Sequence, residues 1–169
     1  MSGGVWLGLG SNVGDRMGNL AAAIEGLERE GVPVLRVSGV YETAPRDFLD
    51  QPAFLNCVAE TDAVMEPEAM LRAALKVEKA MGRVREVAKG PRVIDIDILF
   101  YRDRLVRVDG LEIPHPRIAE RRFVLEPLAE LAPGLLHPVL GRTVAELLDG
   151  VRDQEAVRIQ TGIPTRQRP

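Results

Sequence analysis

The chain has 169 residues, 46% of them hydrophobic and 28% charged, with a formal net charge of −3. That size suits one domain with a sizeable core, and the slight acidity excludes a global basic field for nucleic acid or a membrane surface. The lone cysteine, Cys57, rules out an internal disulfide and fits a reducing compartment.

No apolar run approaches the length of a membrane span. The start, MSGGVWLGLGSN, lacks the charged-then-apolar order of a secretory signal. A cytoplasmic protein is expected, with one domain over residues 1–160 and a frayed tail over 161–169.

Residues 5–9 form a short apolar run that ends in glycine, which reads as a strand. Asp15 can cap a helix whose apolar positions, Met17, Leu20, Ile24 and Leu27, keep helical spacing; Gly31 and Pro33 end it. Residues 34–41 read as a second strand and 54–63 as a third. Glu66-Pro67-Glu68 opens a second helix, with proline at its natural first position and acid at the positive dipole end, and Gly82 closes it. Residues 93–101 read as a fourth strand. The order β-α-β-β-α-β predicts an α+β, ferredoxin-like fold, with helices on one face of an antiparallel sheet. Beyond Tyr101, the pieces 105–106 and 111–113 suggest a small hairpin. PHPRIAERRFVLEPLAELAP suggests one or two short helices, and 143–148 a last one.

The fourth strand poses a chemical question. In PRVIDIDILFY, Asp95 and Asp97 are two residues apart and share one face, while Ile94, Ile96, Ile98 and Phe100 make the opposite, core-facing row. Two carboxylates about 7 Å apart along a strand repel each other, and a divalent cation would offset the repulsion. The alternative is a strand whose second face is simply wet. The segment before the pair, GRVREVAKGPR, carries Arg83, Arg85, Lys89 and Arg92 against Glu86, between glycines. A glycine-hinged cationic loop beside two carboxylates suits a polyphosphate with its metal. Glu78 falls on the apolar stripe of the second helix with Leu71, Ala74, Leu75 and Met81, where a carboxylate needs a partner: an arginine of the next loop or a ligand.

On the third strand, Leu55, Cys57 and Ala59 form an apolar row. Phe54, Asn56 and Glu60 lie opposite, so an aromatic ring and an amide could meet a planar heterocycle. No P-loop pattern is present, Gly8, Gly10 and Gly14 are wrongly spaced for a dinucleotide fingerprint, and His115 and His137 are not at zinc-site spacing. Each histidine reads as structural or as a polar contact.

Taken together, GPRVIDIDILFY, LGSNVGDR, YETAP, DQPAFLN and PHPRIAERRFVLEPLAELAP resemble, in this order, the motifs of the 6-hydroxymethyl-7,8-dihydropterin pyrophosphokinase family. The resemblance implies a ferredoxin-like enzyme of folate biosynthesis. Such an enzyme passes pyrophosphate from ATP to the hydroxymethyl oxygen of a reduced pterin and releases AMP. It implies that Asp95 and Asp97 hold two Mg²⁺ ions, with Asp97 the candidate base, and that Arg83 and Arg92 are catalytic phosphate ligands. By the same resemblance Glu78, Ile98, Leu111, His115 and Arg121 surround the nucleotide, and Arg85 of the cationic loop is expected to join them. Thr43, Ala44, Pro45, Phe54, Asn56 and Phe123 would form the pterin pocket, with the ring between Phe54 and Phe123. Family members often carry a tryptophan before the glycine of the mobile loop, where this chain has Lys89 and Ala88.

The expected partners are small molecules, ATP and the pterin, with no nucleic acid, membrane or obligate protein partner. Two rival readings remain. A nucleotidyl transferase with paired aspartates would release pyrophosphate. A ferredoxin-like RNA-binding module would stack bases on sheet aromatics, and the aromatic content of 4% argues against it.

Overall fold

The computed structural model describes residues 4–43, 52–62, 64–82 and 93–160. Strand β1 (Val5–Ser11) leads into helix α1 (Arg16–Arg29), where the Asp15 carboxylate accepts from the Gly18 N–H as expected of a cap. Strands β2 (Val34–Val37), β3 (Val40–Thr43) and β4 (Phe54–Thr61) follow. Helix α2 (Pro67–Ala80) then delivers the chain to β5 (Asp95–Tyr101). The sheet order β5-β1-β4-β3, with β2 also on β4 and every pairing antiparallel, is the ferredoxin-like arrangement. A hairpin of β6 (Val106–Val108) and β7 (Leu111–Ile113), helix α3 (Arg122–Leu131) and helix α4 (Val144–Asp149) complete the expected additions. Thr143 closes a capping box on α4 with Glu146.

Three expectations are corrected. The single strand expected over 34–41 is two. At Ser38 the hydroxyl takes the Val58 N–H (2.9 Å) and donates to the Gly39 carbonyl (2.8 Å), so a side chain replaces part of the ladder and the chain bulges.

Phe100 does not continue the row of Ile94, Ile96 and Ile98. The β1–β5 register passes from Trp6↔Phe100 to Leu7↔Ile98, so Leu99 is an extra residue. This bulge turns Tyr101 to the α1/α2 side and Phe100 to the other.

Helices α1 and α2 share one face of the sheet, as expected, and the C-terminal helices take the other. The first core packs α1 and α2 on Val5, Leu7, Leu9, Leu55 and Ile96. A second packs α3 and α4 on Trp6, Val58, Leu99 and Phe100. Finally, Leu75 lies outside the buried stripe of α2, which is Met70, Ala73, Ala74, Val77 and Glu78; Leu75 is 41% exposed.

One element was not foreseen. Strand β8 (Val157–Gln160) pairs with β3 and extends the sheet. The third strand ends at Thr61, and Ala63 and the tail 161–169 lie outside the described residues. No helix among the described residues is long and apolar enough to cross a membrane.

Candidate active site

The sheet face away from α1 and α2 is covered by α3 and α4 over part of its area, and another part is floored by glycine. On β1, Gly10 stands opposite Asp95 on one side and Asn56 on the other, and Gly8 opposite Asp97 and Val58. Adjacent strands lie about 4.8 Å apart, which places the Asn56 and Asp95 backbones roughly 10 Å apart across Gly10. A Cβ at Gly10 would come 2.9 Å from Asn56 Oδ1 and 3.7 Å from the Phe54 ring. The glycine is therefore what lets the amide lie over β1. Asp95 and Asp97 are both half-buried on this face.

Asn56 is buried, and its Nδ2 donates to Thr43 Oγ1 at 2.8 Å. This bond fixes the amide plane and directs Oδ1 over the glycine. The strand's entry is held from the β1–α1 turn. Asn12 Nδ2 donates to the Pro52 carbonyl (3.1 Å), and Arg16 Nη1 donates to the Ala53 carbonyl (2.9 Å) and the Glu42 carboxylate (3.0 Å). Asn19 ties the same turn through Ser11 Oγ (3.1 Å) and the Val13 carbonyl (2.8 Å). Sequence reasoning assigned no role to Gly10, Asn12 or Arg16. Their signal was the polar run SNVGDR directly after a strand of glycines.

Glu78 finds a partner that spacing could not reveal. Its Oε2 accepts from the Ile96 N–H at 2.8 Å, on the edge strand and between the two aspartates. The carboxylate thereby anchors the peptide that carries both side chains.

His115 is tied to β5 further along the strand, its N–H donating to the Leu99 carbonyl at 3.0 Å. Its Nδ1 accepts from the Arg117 N–H (3.2 Å), leaving Nε2 as the ring donor. Burial first, then the positive charge of Arg121, hold its pKa down to about 4, while Asp95 pulls the other way. Around neutral pH it is an uncharged donor. The Arg121 guanidinium lies 5.4 Å from the centre of the Phe123 ring, a cation–π pair on the same side of the molecule.

Not every expected residue has its side chain here. Those of Ile98 and Leu111 are buried in the α1/α2 core, so only their backbone is on offer to a ligand. His137 is structural, accepting from the Val139 and Leu140 N–H groups and meeting Phe100 edge-on. Arg83, Arg85, Lys89, Arg92, Ala44 and Pro45 lie outside the described residues.

Among the described residues no cluster of three or more His, Cys, Asp and Glu side chains could hold a metal ion. Asp95 and Asp97 offer two carboxylates. A cation there would complete its shell with water and ligand oxygens, the habit of Mg²⁺.

The 7,8-dihydro-6-hydroxymethylpterin-pyrophosphokinase family profile matches residues 6–133. The chain is 42% identical over 151 residues to the folic acid synthesis protein fol1 of Pneumocystis carinii, covering 89% of this chain and 20% of that protein. It is 46% identical over 144 residues to the 2-amino-4-hydroxy-6-hydroxymethyldihydropteridine pyrophosphokinase of Methylorubrum extorquens, covering 85% and 90% of the two chains. The chain thus spans about a fifth of the fungal relative and most of the bacterial one. A crystal structure of Plasmodium falciparum HPPK-DHPS with pteroate superposes with a TM-score of 0.68 at 18% identity, over 86% of this chain and 42% of that one. At that identity the likeness establishes the fold.

Proposed function

Since the chain belongs to the 7,8-dihydro-6-hydroxymethylpterin pyrophosphokinase family, we propose that it transfers pyrophosphate from ATP to the hydroxymethyl oxygen of the reduced pterin. The observation that carries this reading is the glycine floor, which sets the fixed amide of Asn56 across Gly10 from the Asp95 carboxylate. An amide acceptor beside the Phe54 ring suits a flat, hydrogen-bonding heterocycle. A carboxylate pair one strand beyond suits a metal-bound polyphosphate.

In this reading the pterin lies over Gly10 between Phe54 and Phe123 and bonds to Asn56. Thr43, Ala44 and Pro45 complete its pocket. The hydroxymethyl oxygen attacks the β-phosphorus of ATP, the bond to the α-phosphate oxygen breaks, and AMP leaves. Asp97 is the candidate acceptor of the hydroxyl proton. Asp95 and Asp97 would hold Mg²⁺, which when bound neutralises charge on the phosphates. Arg83, Arg85, Arg92 and Arg121 add fixed positive charge, and neutral His115 donates from Nε2 toward the nucleotide. Most of the catalysis is alignment and electrostatics, as in other phosphoryl transfers.

Incubation with Mg-ATP and hydroxymethyl-dihydropterin should yield AMP. Release of pyrophosphate instead would mean attack at the α-phosphorus and a nucleotidyl transferase. RNA binding without turnover would favour the binding module. Asp95→Asn should cut the rate by roughly 10²-fold or more while circular dichroism stays unchanged. A variant with wild-type turnover would remove the carboxylate pair from the mechanism.

A further inference from the structure

Arg121 sits at the N-cap position of α3, and its own side chain does not cap the helix. It ends a short 3-10 turn (Ile118–Glu120) and precedes α3 with an extended backbone, φ −126° and ψ 101°. Its own N–H and C=O are used locally, donating to Ile118 and accepting from Val124 and Leu125. The flanking groups, the Glu120 carbonyl and the Arg122 N–H, are satisfied from far along the chain by one residue. Gln154 Nε2 donates to the Glu120 carbonyl at 2.8 Å, and Gln154 Oε1 accepts from the Arg122 N–H at 3.0 Å. A single amide thus spans Arg121 as a neighbouring strand would. It also caps the first orphan N–H of α3.

The bracket is itself held. Arg122 Nη1 donates to the carbonyls of Arg152 (2.8 Å) and Gln154 (2.6 Å), and Arg122 Nε donates to Glu126 (3.1 Å). Val151, buried in the second core, anchors the start of this segment, and β8 anchors its end in the sheet.

We propose that Gln154, which lies beyond residues 6–133 that match the family, is a positioning residue that aims Arg121 at the nucleotide. The proposal rests on the pyrophosphokinase reading, in which Arg121 meets ATP. The physical reason is the exposed turn: without the amide, the peptides on either side of Arg121 lose their partners. The guanidinium then samples orientations away from Phe123 and the phosphates, and ATP is held less well in the productive pose.

Gln154→Met keeps the length of the side chain and removes both hydrogen bonds. It should raise KM for ATP roughly three- to tenfold, with a smaller change in kcat, as expected for the loss of two modest hydrogen bonds. In an Arg121→Ala background the same change should alter KM by less than about twofold, because residues acting through one another are not additive. An equal effect in both backgrounds, or none in the wild type, would overturn the proposal.

Gln154→Glu, which keeps the acceptor and loses the donor, should fall between the two and covers the case in which the methionine variant does not fold. Amide hydrogen exchange at Arg122 gives a readout free of turnover, and it should be faster in Gln154→Met. If the wild-type chain forms no AMP, the pyrophosphokinase reading fails and the positioning role of Gln154 with it, even with Arg122 protected. If AMP forms and Arg122 exchanges equally in both proteins, Gln154 alone is refuted.

Discussion

Gly10 shows how a missing side chain can define a site. Asn56 is buried and bound to Thr43, so its amide has little room to retreat from a methyl group placed 2.9 Å away. Gly10→Ala should therefore turn the amide out of the orientation in which, on the proposed reading, it would meet the pterin. KM for the pterin should rise on the order of tenfold, the scale of a mild overpacking cost, with KM for ATP nearly unchanged. Steady-state kinetics with each substrate varied in turn will check this. A matching rise for ATP would mean that the whole sheet has shifted, and the pocket would lose its local character.

Strand β5 is an edge strand, and α2 treats it as one. The Ile96 N–H points away from β1, where an exposed edge would leave it to water or to another chain. Glu78 covers it with a carboxylate from the buried stripe of the helix. Glu78→Ala should leave that N–H without its acceptor and cost about 1–3 kcal/mol in urea denaturation. Glu78→Gln, which retains an acceptor oxygen, should recover most of that stability. Equal urea midpoints for the alanine variant and the wild type would mean that the bond contributes nothing net. Farther across the sheet, the Ser38–Gly39 bulge is braced from α3. Glu130 accepts from the Gly39 N–H and from the Tyr41 hydroxyl, both at 2.8 Å, so the interruption of the strand is tied into the second layer.

The molecule has two cores, one on each face of the sheet, and the family match ends before the second is complete. Val144, Leu147, Leu148 and Val151, all beyond residue 133, are buried against Trp6, Leu99 and Phe100. Burial of four such side chains is worth about 6–12 kcal/mol, comparable with the roughly 5–15 kcal/mol that stabilises a whole domain. A chain cut after Pro133 should lose cooperative melting by circular dichroism and become sensitive to protease. A sharp melt near that of the full chain would show that the first core suffices.

Stability should also follow pH in a defined way. Burial lowers the pKa of His115 from 6.5 to about 4 and lowers that of His137 as well, so between those values the unfolded chain binds more protons. Stability falls as pH drops from 6.5 toward 4. Burial pushes the Cys57 thiol from 9.0 up to about 12, so the unfolded chain loses that proton first and stability falls again above pH 9. Urea midpoints in metal-free buffer should form a plateau between about pH 6.5 and 9. His115→Gln should flatten the acid side.

Periodicity and turn chemistry alone determined the two main helices, the Asp15 cap of the first and the proline start of the second, most strands and the ferredoxin-like order, because 3.6- and 2-residue patterns are local properties of the chain. The shared face of Asp95 and Asp97 was legible for the same reason. Tertiary structure decided the rest. The bulge at Leu99, which sends Phe100 and Tyr101 to opposite cores, depends on the register with β1. The partners of Glu78, Asn56 and Gln154 lie 18, 13 and up to 34 residues away, and no spacing rule encodes a hydrogen bond across such intervals. Gly10 drew notice only as a failed phosphate motif, since a glycine's value as floor appears once Asn56 and Asp95 stand on either side of it. The second layer of helices was legible as elements but not as a layer, because an amphipathic stripe says that a face is buried and not against what.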